Sequence, residues 1–241
     1  MRQLCVEASE LKKSFNGRTV VDGLTFSVEK GEVFGLLGHN GAGKSTTIEM
    51  LLGLKKPESG SALVFGKDVS KNKKESFEKI GVQLQTTSYP ASIRVDEACK
   101  QREALYKNPR SYKELLDKFG LSDLEKSPVN KLSGGEKQRL SVALALIGNP
   151  EIIFLDELTT GLDVAARREV WRILLDLKNS GITIFLTTHY MEEVEKLCDR
   201  IMLIRKGKEV IKGTVEEVIG NSPYDNLENA YLWYMGEEVE I

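Results

Sequence analysis

Val33-Phe34-Gly35-Leu36-Leu37, followed at once by Gly38-His39-Asn40-Gly41-Ala42-Gly43-Lys44-Ser45, is the stretch on which the reading of the fold turns. A continuous apolar run that stops at a glycine cluster reads as a strand buried on both faces. Helical character follows from Lys44 to Leu54, and Gly53 and Pro57 mark its end. The connection matches G-x-x-x-x-G-K-[ST] between a strand and its helix, the context that turns this pattern into a phosphate site. Glycines let the loop fold tightly, so that successive backbone N–H groups face phosphate oxygens. The helix that follows adds its positive N-terminal end. In such a loop Lys44 reaches the β- and γ-phosphates and Ser45 offers a hydroxyl to Mg²⁺, with Thr46 next along.

Further along, Ile152-Ile153-Phe154-Leu155 is a second buried strand, and it ends in Asp156-Glu157. Buried carboxylates are costly unless they are paired or used. Taken alone, the two acids read equally well as caps of the following helix. Beside a phosphate loop the catalytic reading prevails: Asp156 holds Mg²⁺ and Glu157 polarises the attacking water. Ile182–Thr187 reads as a third buried strand, and Leu24–Val28 alternates as a half-buried one. Strands alternating with helices predict an α/β fold with a mostly parallel sheet covered by helices.

From about Val95 to Leu124 the chain is charged and helix-friendly, with apolar spacing at Leu115, Leu116 and Phe119. Loop-like ends, Thr86-Thr87-Ser88-Tyr89-Pro90 and Lys126-Ser127-Pro128, make it a helical insertion into the α/β core. Ile201–Arg205 and Glu209–Lys212, joined by Lys206-Gly207-Lys208, predict a hairpin. Ala230–Met235 is the densest aromatic patch and is expected to pack a final helix onto the core, as Trp171 is expected to sit in it.

The bulk properties exclude several classes. The 241 residues carry a formal net charge of −2, so no global basic field advertises nucleic acid or anionic lipid. Lysine clusters at Lys12–Lys13, Lys55–Lys56 and Lys71–Lys74 read as solvated loops and helix faces. Three widely spaced cysteines, Cys5, Cys99 and Cys198, form no metal-ligand spacing and are expected to be reduced thiols. No apolar stretch approaches the roughly 20 residues that span a bilayer. The first ten residues carry charge and lack the apolar run of a signal peptide.

Leu132-Ser133-Gly134-Gly135-Glu136-Lys137-Gln138-Arg139 narrows the class. It resembles the LSGGQ signature of ABC ATPases, with Glu136 where glutamine is usual. Ser-Gly-Gly at a helix start is a second anion-binding nest, and paired glycines weaken a helix unless backbone must approach a ligand. The resemblance covers nearly the whole chain. Phe15 falls where the family places an adenine-stacking aromatic, and Val20 lines the same face. Gln85 sits at the Q-loop, which senses Mg²⁺ and the membrane subunit; Gln83 is a nearby decoy, and the spacing from Ile80-Gly81 favours Gln85. Gly161-Leu162-Asp163 resembles the D-loop, and His189 the switch histidine that contacts the γ-phosphate. Leu158 departs from the family, which usually has proline there. Alone, each minor motif is weak: Phe15 and His189 have ordinary structural readings. Their order along the chain carries the resemblance.

The resemblance implies an ABC ATPase fold: a P-loop NTPase core with an N-terminal antiparallel β part and an inserted α-helical subdomain. One domain would cover residues 1–241, with a nucleotide-binding core at about 1–85 and 150–220, a helical signature subdomain at 86–149 and a short tail at 221–241. It implies ATP and Mg²⁺ as ligands, with Ser45, Gln85 and Asp156 on the metal. Gly38–Thr46, Phe15, Val20, Gln85, Ser133–Glu136 and Asp163 would contact the nucleotide, and Lys44, Glu157 and His189 would serve catalysis. One chain holds one phosphate loop and one signature, so a head-to-tail dimer with a like or related subunit is implied. The implied partner is a transmembrane permease, which would place the chain on the cytoplasmic face of the cell membrane. Thr187-Thr188-His189-Tyr190-Met191-Glu192-Glu193 and Cys198-Asp199-Arg200-Ile201 are similar to subunits of drug, peptide or lipid exporters. The alternative is a soluble ABC ATPase acting on DNA or ribosomes. Its usual marks, a tandem domain or a long coiled coil, are absent from these 241 residues, and no nucleic-acid partner is expected.

Overall fold

A computed structural model describes residues 3–84, 89–90 and 92–237. In chain order the first elements are β1 (Leu4–Phe15), β2 (Arg18–Glu29), β3 (Val33–Leu37), α1 (Lys44–Leu51), β4 (Ser59–Val64), α2 (Lys73–Phe77) and β5 (Ile80–Gln83). Then come α3 (Val95–Glu103), α4 (Tyr112–Lys118), α5 (Gly134–Leu146), β6 (Ile152–Asp156) and α6 (Val164–Asn179). The last are β7 (Thr183–Thr188), α7 (Met191–Leu197), β8 (Arg200–Arg205), β9 (Lys208–Thr214), α8 (Val215–Gly220) and α9 (Leu227–Met235). They fall into two compact units, one of residues 1–73 and 183–241, the other of residues 74–182.

The first unit has two sheets. β1 is the centre of an antiparallel sheet ordered β2-β1-β4, whose first two strands are joined by Asn16-Gly17 at φ 50° and 78°. Positive φ at both central residues is the turn that matches strand twist. β3 runs parallel to β7 on one side and β8 on the other, and β9 returns antiparallel to β8. All five residues of β3 and all six of β7 are buried, which is why both read as unbroken apolar runs. Phe26 of β2 stacks on Phe34 of β3 at 5.4 Å between ring centroids, and Phe34 on Phe185 of β7 at 5.6 Å. This aromatic stack ties the antiparallel sheet to the parallel one. On the far side, α7, α8 and α9 contribute Met191, Val194, Val218, Leu227, Tyr231 and Met235 to a core with Leu37 and Leu203.

The second unit pairs β5 with β6 in parallel, Ile80 opposite Ile152 and Gln83 opposite Leu155. Around it the expected helical stretch breaks in two, α3 and α4, and Pro109, which has no N–H to continue a helix, lies in the link between them. Ser111 restarts it as the N-cap of α4. Asp96, buried at the start of α3, accepts from Lys100 and Lys126 at 2.8 Å each. Hydrogen bonds from these two ammonium groups hold its carboxyl down at about 2. Trp171 is buried in α6, as expected. Helix α1 stops three residues before the expected Leu54, at a left-handed Gly53.

Candidate functional site

The phosphate loop is held from several sides by its own unit. Gly43 has φ 110°, and a Cβ there would lie 2.6 Å from the carbonyl oxygen of Val20. Gly38 approaches the Ile204 carbonyl as closely, 2.5 Å from its would-be Cβ. Neither position admits a side chain, so two glycines of the motif are required by packing as well as by the loop. Gly207, in the β8–β9 turn, donates its N–H to the Ala42 carbonyl at 3.0 Å and accepts from the Asp22 N–H at 2.8 Å. Thr47 closes the entry to α1, its N–H and hydroxyl both donating to the Gly43 carbonyl at 2.9 Å.

Lys44 is 3% exposed and lies back along the loop. Its Nζ donates to the carbonyls of Gly38 at 2.7 Å and His39 at 3.2 Å. A buried ammonium is stable only when its donors are satisfied, and the loop supplies acceptors for it. A cation enclosed by a loop of backbone amides beside a helix N-terminus can receive a polyphosphate. Ser45 and Thr46 are half-buried, and His39, Asn40 and Gly41 form the exposed tip.

Val20, His39–Ala42, Arg18 and Lys206 line a cavity of about 720 Å³ beside the loop. Val20 thus stands at the loop, as expected. Phe15 is not among the residues lining this cavity; it is exposed at the end of β1, with the ammonium groups of Lys55 and Lys13 at 5.2 and 5.6 Å from its ring. Arg18, Arg205 and Lys206, which add positive charge to the cavity wall, were not singled out by the sequence. Nothing local marks them, because strands β2 and β8 bring them there.

His189 follows β7 in the same unit. β7 pairs with β3 so that Thr188 is opposite Leu37, the residue before the phosphate loop. Parallel strands lie about 4.8 Å apart, so Gly38 and His189 leave the sheet side by side. The His189 Nδ1 is buried without a hydrogen-bond partner, and its ring lies 4.3 Å from that of Tyr190. An unsatisfied buried nitrogen is rare and is the kind of exception that marks a working group.

In the second unit, Asp156 and Glu157 are both buried at the end of β6. Glu157 has φ 50°, a left-handed conformation that strains a residue with a Cβ by about 1–3 kcal/mol. Thr160 N–H donates to the Glu157 carbonyl at 3.2 Å, closing a turn despite Leu158 in place of proline. Asp163 caps α6, accepting from the Ala166 N–H at 2.9 Å.

The signature stretch starts α5. Ser133 and Glu136 form a reciprocal cap: the Ser133 N–H donates to Glu136 at 2.7 Å, and the Glu136 N–H to the Ser133 hydroxyl oxygen at 3.3 Å. The Ser133 backbone hydrogen bond holds the Glu136 carboxyl below its ordinary range. Glutamine closes the same box, so glutamate here keeps the geometry the signature needs. Gly135 faces Ala166 of α6, where a Cβ would meet the Ala166 Cβ at 3.0 Å, while Ser133 and Gly134 are exposed.

Gln85 lies outside the described residues. Its neighbour Gln83 is buried, donates to the Leu84 carbonyl at 2.8 Å, and leaves its Oε1 without a hydrogen bond.

The ABC transporter family profile matches residues 21–160. The chain is 38% identical over 237 residues to the probable multidrug ABC transporter ATP-binding protein YbhF of Escherichia coli (strain K12), spanning 94% of this chain and 41% of that one. It is 40% identical over 214 residues to the Nod factor export ATP-binding protein I of Ralstonia nicotianae, spanning 87% of this chain and 67% of that one. Against the daunorubicin/doxorubicin resistance ATP-binding protein DrrA of Streptomyces peucetius the identity is 40%, over 88% of this chain and 66% of that one. A solved ATP-binding subunit of an ABC transporter superposes with a TM-score of 0.85 at 26% identity, covering 95% of this chain and 99% of that one. With the profile over more than half its length, an α/β fold shared with such subunits, and a phosphate loop built around Lys44, the chain belongs to the ABC transporter family, whose ATP-binding proteins are ATPases.

Proposed function

We propose that the chain binds and hydrolyses ATP as the energising subunit of an exporter whose transmembrane part is a separate protein. The observation that carries this reading is the Lys44 ammonium enclosed by the phosphate loop, with His189 leaving the neighbouring strand beside it. Ser45 and Asp156 offer the hard oxygen ligands that Mg²⁺ requires, with Gln85 as a third, and the metal would neutralise phosphate charge. Glu157 orients and polarises water; Lys44 and His189 stabilise the γ-phosphate as charge develops. Phe15 and Val20 contact the base, and Asp163 the closed interface.

The exposed start of α5 supports ATP-driven dimerisation. Ser133 and Gly134 are exposed at a helix N-terminus, an anion site whose ligand comes from a second ATP-binding subunit, either a copy of this chain or a related one. ATP then favours the closed pair, and hydrolysis removes that preference. Among the described residues no helix is long and apolar enough to cross a membrane; in this reading the permease holds the chain at the cytoplasmic face. Relatives named for multidrug transport, Nod factor export and daunorubicin/doxorubicin resistance support the export direction. In this reading residues 86–149 act as the helical signature subdomain of a single 1–241 domain, with 1–85 and 150–220 as its core and 221–241 as its tail.

The test is isolation of the chain from membranes in mild detergent with whatever it holds. Co-isolation of a multi-span membrane protein that raises its Mg²⁺-dependent ATPase rate is the expected result. Ribosomes or DNA in its place, with no membrane protein, would overturn the exporter role.

A further inference from the structure

We propose that Glu237 is a positioning residue for nucleotide binding, acting through His39 at the tip of the phosphate loop. The inference rests on the reading of Gly38–Ser45 as the ATP phosphate site.

Helix α9 is anchored by Leu227, Tyr231 and Met235 to the core that contains Leu37, the residue before the loop. Its end is fixed in detail. Gly236 is left-handed at φ 71°, its N–H donates to the Trp233 carbonyl at 3.0 Å, and the Glu237 N–H donates to the Leu232 carbonyl at 3.0 Å. This pair of bonds is the Schellman arrangement, which sets the direction of the chain as it leaves a helix. Arg205, at the end of β8, donates to the Met235 carbonyl at 2.7 Å and holds the helix end beside the loop. Glu237 is therefore delivered to one place, and its Oε1 stands 3.1 Å from the Nε2 of His39. The His39 ring also lies 5.5 Å from that of Tyr231, so the imidazole is bracketed by two residues of the C-terminal segment.

The backbone of the same residue serves the phosphate side. The His39 carbonyl accepts from Lys44 Nζ at 3.2 Å. His39 thus joins the C-terminal tether, at its ring, to the phosphate-binding ammonium, at its carbonyl. His39, Asn40 and Gly41 are otherwise exposed, and an exposed loop tip loses conformational freedom when a ligand orders it. Fixing His39 beforehand reduces that loss, so the tether raises affinity without touching the nucleotide. Neither side chain of the pair is buried, at 47% and 48% exposed, so its removal leaves the core intact.

The experiment is a nucleotide titration of the purified full chain with Mg²⁺-ATP, alongside its thermal midpoint and steady-state ATPase kinetics. Glu237→Ala is expected to raise Kd and KM about two- to fivefold, the range for a partly exposed polar contact, with kcat and the midpoint unchanged. Adding Glu237→Ala to His39→Ala should give no further rise, because both act on one contact. An unchanged or tighter Kd in Glu237→Ala, or additive effects in the double variant, would overturn the tether. A fall in kcat or midpoint to match the rise in KM would make Glu237 a merely structural residue and overturn it equally. Absence of nucleotide binding by the wild-type chain would instead sink the phosphate-loop reading on which the tether depends.

Discussion

Leu37 and Thr188 are register partners in adjacent parallel strands, and each is the last residue before a proposed site residue, Gly38 and His189. The sheet itself therefore sets the separation between the start of the phosphate loop and the histidine. Replacing His189 with alanine removes a polar group without disturbing that register. Steady-state kinetics should show kcat lower by about 10²-fold or more, with nucleotide Kd within about twofold, if the histidine acts on developing charge as proposed. A mutant that lost affinity and kept kcat would assign it to binding alone.

Glu157 combines burial with a left-handed backbone, and its side chain is the proposed water-orienting group. Glu157→Gln keeps shape and strain and removes the base. Turnover should fall by about 10²–10⁴-fold, and ATP should accumulate a stable dimer detectable by size-exclusion chromatography with light scattering. Near-normal turnover in this variant would remove Glu157 from the mechanism.

Lys44→Ala takes the ammonium out of the loop and leaves the Gly38 carbonyl without that donor. Isothermal titration should find ATP affinity reduced by tenfold or more, about 1.4 kcal/mol or above, as a charge-assisted contact to phosphate is lost. Equal affinity would show that the loop does not take the triphosphate.

The capping box at Ser133 and Glu136 separates structure from signalling at the signature helix. Glu136→Gln should leave both the thermal midpoint and ATPase rate nearly unchanged. Glu136→Ala, which opens the box, should destabilise by about 1 kcal/mol, a shift of ~2–4 °C for a chain of this size. If Gln proved as damaging as Ala, the carboxylate charge would matter and the cap would not explain its presence.

Asp96 gives a pH signature. Its folded carboxyl sits at about 2, below the ordinary carboxylate value near 3.9, because Lys100 and Lys126 donate to it. A depressed value means that the stabilisation is complete above the unfolded pKa and is lost as pH falls from about 4 through 2. Asp96→Asn should lower the midpoint at neutral pH and flatten the loss of stability across that window. A variant with the same acid limb as wild type would show that the pair of lysines contributes nothing measurable.

Much of the site was legible because its chemistry is local. The phosphate loop, the acids after β6 and the signature are each short runs whose residues act on their own backbone or the next turn. Helix α1 and strand β3 follow from the same run, since glycine bounds both. The β1–β2 hairpin carried a usable signal at Asn16-Gly17, but Glu7, Glu10, Lys12 and Lys13 interrupt the alternation of β1, and β-bulges shift its register. The Val95–Leu124 stretch read as more continuous than it is, because helix propensity outweighed Pro109. Arg205 and Glu237 escaped notice for a different reason: their partners are brought close only by the packing of α9 on β8, and no spacing encodes that.

The hydrogen bond from Gly207 to Ala42 has a thermodynamic consequence. A turn between two strands of the sheet grips the phosphate loop from outside at Ala42, so the base of the loop acquires its shape when the protein folds and not when a ligand arrives. Nucleotide capture should then resemble docking into a preset mould, with little coupled ordering in its heat-capacity change. The melting behaviour of the hairpin and the grip on nucleotide become linked properties: weaken the turn, and the mould slackens before the fold does.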